Sequence, residues 1–227
     1  MDKPNVFRTS EFYMSEGDTL HVSIKYEDGS DTVDLDLVAG SSGVVSDSTD
    51  YRVTDGDGNV YTSVVIGDQR WLVENWKYNS VGSVVYDDDI ANEAIYGRLY
   101  DWDMAMALTL PEGWRIPSSA DWAKLGEYDN DNPGPFKEVG YDYWDEPNFG
   151  ATNETGFSAR GAGYRMKITG DWYYIQQKQL SYMWTTTEDT DPLKAMAGDL
   201  WYTESVLCAG QVTPKENYFS VRLVRDI

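Results

Sequence analysis

The stretch Pro111-Glu-Gly-Trp-Arg-Ile-Pro-Ser-Ser-Ala-Asp-Trp-Ala-Lys-Leu125 carries its local structure on its face. Pro111 and Pro117 hold the chain extended, because each fixes its own φ and pushes the preceding residue out of the helical region. Ser118 follows as a helix cap, and Asp121, three residues on, supplies the Asp version of a capping box. Trp122 and Leu125 then fall on one helical face. The reading is a short helix docked on a core by two large apolar side chains, a structural role rather than a chemical one.

The composition around it sets the class. A chain of 227 residues suits one large domain, or a domain with a small extra module. Eighteen Lys and Arg against 39 Asp and Glu leave a formal charge of −21, which repels nucleic-acid phosphates and anionic membrane surfaces. Nine Trp and 17 Tyr beside 20 Gly describe a loop-rich β protein whose aromatics supply the area that aliphatic residues supply elsewhere. No apolar run reaches the roughly 18 residues of a membrane span, and the start MDKPNVFRTS lacks the apolar centre of a signal peptide. The expectations are no membrane insertion and no signal peptide, with the compartment left undecided. Cys208 and His21 are the only residues of their kinds, which excludes an internal disulfide, a Cys/His zinc site and a redox cysteine pair.

Along the chain, Leu20, Val22, Ile24 and Tyr26 alternate with polar residues, and Val33, Leu35 and Leu37 do so again after Asp28-Gly-Ser30, which predicts a hairpin. GSSGVVSDSTD over 40–50 reads as a linker, so a small N-terminal β module over 1–50 precedes a main domain over 51–227. In TDGDGNV, Asp55, Asp57 and Asn59 sit at the first ligand positions of a calcium loop, but Val60 and Ile66 stand where that loop needs Gly and Glu, so a hairpin turn is the reading. Two strands follow around Gly67-Asp68. IYGRLYDWDMAMAL over 95–108 reads as a helix with Leu99, Trp102, Ala105 and Met106 on its core face, and the segment rich in Asp, Asn, Pro and Gly up to Gly156 as a long surface loop. Strands and turns resume from Phe157.

In order, DGNVYTSVVIGDQRWLVENW, YGRLYDWDMAM, PEGWRIPSSADW, ATNETGFSA, WTTTE and FSVRLVRD resemble the Fibrobacter succinogenes major paralogous domain family over about residues 52–227. That family looks like a branch of the C-type lectin-like fold shared with formylglycine-generating enzymes and with the variable proteins of diversity-generating retroelements. The resemblance implies an α+β domain with two helices, twisted antiparallel sheets and a ligand face built from the C-terminal strands and loops. It also implies a cysteine before the Pro-Glu-Gly-Trp motif and another in the closing motif, paired as a disulfide. Leu110 and Leu223 stand at those positions, a paired replacement that suits a protein folding without an oxidising compartment, such as a viral or cytosolic one.

The two catalytic chemistries of the fold fail on residue types, and the abundant carboxylates, open in principle to acid–base work, read more simply as a charge-rich surface. The cysteine pair of formylglycine-generating enzymes and the histidine cluster of iron-dependent oxidases are both unavailable to a chain with one Cys and one His. No cofactor and no metal is expected. Glu146-Pro-Asn148 matches one sugar-binding tripeptide of calcium-dependent lectins, but the later Trp-Asn-Asp is absent, so it reads as a loop.

Binding is the better reading, and the segment between Trp184 and Phe219 carries it, because aromatic and apolar residues there follow no clear period. If Met196, Gly198 and Leu200 point inward, Ala197, Asp199 and Trp201 point outward. Glu204, Val206, Leu207, Cys208 and Gln211 complete the candidate patch. DWYYIQQ adds Tyr173 and Ile175 on one side with Trp172 and Tyr174 on the other, and alternation alone does not choose the side. Two classes stay open: a display protein whose C-terminal face, diversified by a retroelement, recognises a protein or glycan ligand on another cell or particle surface, and a structural surface or adhesin module of a cell envelope. Oligomers are compatible with both.

Overall fold

The computed structural model describes the backbone of two strands, β1 (Thr19–Lys25) and β2 (Thr32–Val38), and then residues 52–204 and 206–227. The chain divides into two compact units, Met1–Asp50 and Tyr51–Ile227. In the first, β1 and β2 pair antiparallel, with Leu20 in register with Leu37, Val22 with Leu35 and Ile24 with Val33. Its expected turn at 28–30 and the linker over 40–50 lie outside the described residues.

The second unit is mixed α and β, with few helices and several small antiparallel sheets. It begins with the hairpin of β3 (Val53–Thr54) and β4 (Val60–Tyr61). Asp55 holds its turn: the carboxylate accepts from the backbone N–H of Asp57 at 2.9 Å and of Asn59 at 3.0 Å, and from the Tyr61 hydroxyl at 2.6 Å. The next hairpin, β5 (Ser63–Ile66) and β6 (Gln69–Leu72), folds around Gly67-Asp68 as expected and takes the closing strand of the chain, β12 (Val224–Asp226), on its other side.

The helix expected over 95–108 is two helices, α1 (Ala91–Tyr96) and α2 (Trp102–Met106). Gly97 ends the first with φ +77°, and a Cβ there would press on Asn75 and the Trp76 carbonyl, so only glycine fits. Leu99 and Tyr100 then bridge to Val84 and Phe219 as extended chain, and Asp101 caps the second helix by accepting from Met104 N at 2.8 Å. A Gly stop and an Asp start within five residues outweigh the apolar spacing that joins them. With α3 (Ser119–Tyr128), three α-helices stand among the described residues where the family resemblance implies two. None of the helices is long and apolar enough to cross a membrane.

The opening stretch behaves as read. Ser118 accepts from Asp121 N, and the Asp121 carboxylate returns to the Ser118 backbone N–H at 2.6 Å, a complete capping box. Arg115 pairs with Val224 in both backbone directions, at 3.0 and 2.9 Å, which ties this stretch to the last strand. Trp114 and Ile116 enter one apolar cluster, with Trp76, Trp184 and Leu223; Trp122 and Leu125 enter a second, with Trp71, Phe136 and Phe157. Leu110 packs against the same cluster as the buried Leu223, so apolar contact serves where the resemblance implies a cystine.

Two corrections concern the stretches after α3. The segment read as a surface loop sends Phe136 and Trp144 fully into the core, with the Trp144 indole N–H donating to the Ala159 carbonyl at 2.8 Å. Asn148 of the Glu-Pro-Asn tripeptide is buried too, its amide donating to the carbonyls of Glu138 and Gly140 at 2.9 Å each. Further on, the hairpin β7 (Tyr164–Ile168) and β8 (Asp171–Ile175) precedes a three-stranded sheet in which β10 (Lys194–Trp201) lies between β9 (Leu180–Glu188) and β11 (Cys208–Pro214). The strand β11 lies within the segment that showed no period.

Candidate functional site

The central strand β10 is covered on both sides, and this decides the candidate patch. Its residues alternate between the two clusters: Ala197 joins the first with Trp184, and Leu200 joins the second with Met183. Gly198 lies under the Trp122 indole so closely that a Cβ would collide with the ring. The expected outward exposure of Ala197 and Asp199 is therefore corrected. Alternation supposes one open face, but a central strand with a helix on one side and aromatic side chains on the other has none. Leu207 is corrected likewise: it is buried in the second cluster, and its N–H donates to the Asp131 carbonyl at 2.6 Å.

The other candidates remain at the surface. Tyr173 is 46% and Val206 60% exposed, Glu204 and Gln211 are exposed, and Trp201, Ile175 and Cys208 are half-buried. Strand pairing brings most of them to one face. Tyr164 stands opposite Ile175, and Met166 opposite Tyr173, so these four share a side of the β7–β8 hairpin. Tyr164 meets Tyr182 edge to face, with ring centroids 5.3 Å apart. Tyr182 stands opposite Asp199, which stands opposite Cys208. The row runs Tyr173, Tyr164, Tyr182, Asp199, Cys208, with Phe219 stacked beneath Tyr182 at 4.6 Å.

Asp199 is the chemical oddity of this row. It is 3% exposed. Burial pushes its carboxyl up to about 7, against hydrogen bonds from Cys208 and the Trp201 side chain, and with Glu204 adding repulsion. Burial, reinforced by Asp199, also raises the hydroxyl of Tyr182 and the thiol of Cys208. A thiol held protonated is a poor nucleophile, and residues 52–227 contain no histidine.

The opposite side of the hairpin carries a different pattern. Arg165 lies 4.7 Å from the Trp172 ring and 5.3 Å from those of Tyr174 and Tyr218, and Lys167 lies 4.7 Å from Trp172. Cations already seated on these rings leave Trp172 and Tyr174 as a braced ladder, whereas Tyr173 on the other side is exposed.

Three contributors went unread in the sequence. Tyr164 and Tyr182 carried a legible signal, since each alternates with an apolar residue in its strand. Lys137 carried none. It is fully buried, and its ammonium donates to the carbonyls of Phe149 at 2.7 Å and Trp201 at 3.1 Å, pinning the end of β10 to the 141–149 loop. Burial lowers it to about 8.

Comparison with known proteins agrees with the ordered motifs. No curated protein and no solved structure matches the chain. The family described as the Fibrobacter succinogenes major domain matches over residues 64–225, well over half of the chain. The chain belongs to the Fibrobacter succinogenes major domain family.

Proposed function

We propose that the second unit is a non-enzymatic ligand-binding module of C-type lectin-like fold. Its face along β7–β8 and β9–β11 recognises a protein or glycan on another cell or particle surface, and is diversified by a retroelement. The observation that carries this reading is the aromatic row: half-buried Tyr164 and Tyr182 pack on Phe219, and the exposed Tyr173 lies on the same side of the β7–β8 hairpin as Tyr164. Rigid aromatic side chains give large contact area at small entropic cost. Trp201, Val206 and Gln211 border the row with side chains that the core does not use.

The test is direct. On a glycan array and a displayed-peptide library, the protein selects a defined subset, and Trp201→Ala weakens that binding by about 2 kcal/mol, roughly 30-fold, as a hot spot does. Uniform background on both surfaces, or binding indifferent to Trp201→Ala and Tyr173→Ala, overturns the reading. Diversification has its own test: a reverse-transcriptase gene and a near-copy of the C-terminal coding segment lie beside the gene, and their absence refutes that part alone.

A further inference from the structure

A cavity of about 110 Å³ opens between α1 and the chain that follows β6, away from the aromatic row. Ala94 and Ile95 are exposed at its rim, and Asn75 and Arg222 are buried at its base. Arg222 is 1% exposed. Its three hydrogen bonds within the described residues all go to neutral oxygens: Nε and Nη2 donate to Asn75 Oδ1 at 3.1 and 2.8 Å, and Nη1 to the Phe157 carbonyl at 2.6 Å. A guanidinium has five N–H groups, so two have no acceptor among the described residues. Burial lowers this group to about 9, which leaves it charged at neutral pH.

Buried charges are paired as a rule, because an uncompensated one costs several kcal/mol. Neither carboxylate lining the cavity hydrogen-bonds Arg222, although Glu74 and Glu138 lie near enough to favour its charged form. Glu138 is held by Arg160 at 2.6 Å, and Glu74 accepts from the backbone and hydroxyl of Thr62 at 2.9 and 3.0 Å. Lys77 adds a further positive charge to the lining. In a chain of net charge −21, this cavity holds more cations than anions.

We propose that the cavity binds a small monocarboxylate, whose planar oxygens accept the N–H groups of Arg222 that the protein leaves unused. The guanidinium fork matches a carboxylate in shape. Size limits the ligand: a cavity of about 150 Å³ admits benzene, so this one takes a molecule of about four to six heavy atoms and not a saccharide. The site shares no lining residue with the aromatic row, so it stands or falls independently of that face.

The test uses the whole chain and sodium acetate, followed by amide NMR at constant ionic strength. Acetate shifts the amides of Asn75, Gly97 and Ser158 saturably, with a Kd on the order of 1 mM, as four heavy atoms allow. Acetamide, of the same shape without the charge, binds at least 10-fold more weakly. Arg222→Gln risks the fold, so the variant is Lys77→Met on the half-exposed lysine, which weakens acetate about 3-fold to 10-fold at unchanged melting temperature. Acetate shifts that do not saturate by about 100 mM, or that acetamide reproduces, overturn the proposal. So does inorganic phosphate binding these amides more tightly than acetate, which would make the cavity a phosphate site.

Discussion

Two buried aspartates, Asp121 and Asp199, show how differently this chain treats its frame and its face. Asp121 is 6% exposed and Asp199 3%, so burial penalises both carboxylates. At Asp121 that penalty is outweighed. Arg115 donates twice at 2.6 and 2.9 Å, Ser118 donates from its backbone and its hydroxyl, and Gln69 donates at 2.5 Å, which holds the carboxyl well below the ordinary range. Among the described residues Asp199 has Cys208 and Trp201 as donors, and burial lifts its carboxyl to about 7. One acid is locked into a network that joins α3, β6 and the Pro-Glu-Gly-Trp motif. The other is left incompletely matched beneath an open aromatic row.

The frame is where substitution does the most damage. Trp122 is fully buried, packs edge to face on Trp71 at 5.9 Å and lies flat against Gly198. Trp122→Ala should therefore cost about 3–5 kcal/mol, enough to unfold a domain of ordinary stability. Urea unfolding measures it; a loss under about 1 kcal/mol would show that the frame does not rest on this ring.

The comparison of the two acids sharpens further with pH. A carboxyl whose folded pKa lies above its unfolded value binds a proton more tightly when folded, so stability falls as pH rises from about 4 to about 7. Asp199→Asn removes that fall and should stabilise the protein by about 4 kcal/mol at pH 8, with little effect at pH 4. Asp121 has the opposite sign: its stabilisation is complete above about pH 4 and is lost as pH falls toward its depressed folded value. Parallel pH profiles of wild type and Asp199→Asn would contradict the difference drawn between these two sites.

How far the sequence revealed all this follows the range of the interactions. The capping box joins residues three apart and was fully legible, as were the hairpin at Gly67-Asp68 and the antiparallel pairing of the two alternating stretches over 20–37. The break at Gly97 and Asp101 was legible in principle, but the apolar spacing across it concealed two strong local signals. Trp144 and Phe136 could not be placed, because nothing local to a Gly- and Pro-rich segment tells that it folds back into a core. Ala197 and Asp199 failed for the same reason. Which face of a strand is covered depends on neighbours supplied by residues 122 and 164–184, and the burial of both faces erases the alternation on which the reading rested. Ordered motifs identify the family; which of its surfaces a given chain uses depends on contacts that no motif encodes.

The separation of frame from face has its most direct measurement in a single five-site variant. Tyr173→Ser, Trp201→Gln, Glu204→Lys, Val206→Thr and Gln211→Lys all fall on exposed or half-buried positions, and Trp201→Gln keeps an N–H donor for Asp199. Exposed substitutions cost within about 0.5 kcal/mol each, so the melting temperature should hold within a few degrees. Binding selected from the array and peptide library should be abolished or redirected in the same preparation. A variant that unfolds would show that these residues belong to the core, and one that folds and binds as before would place the recognition surface elsewhere on the molecule.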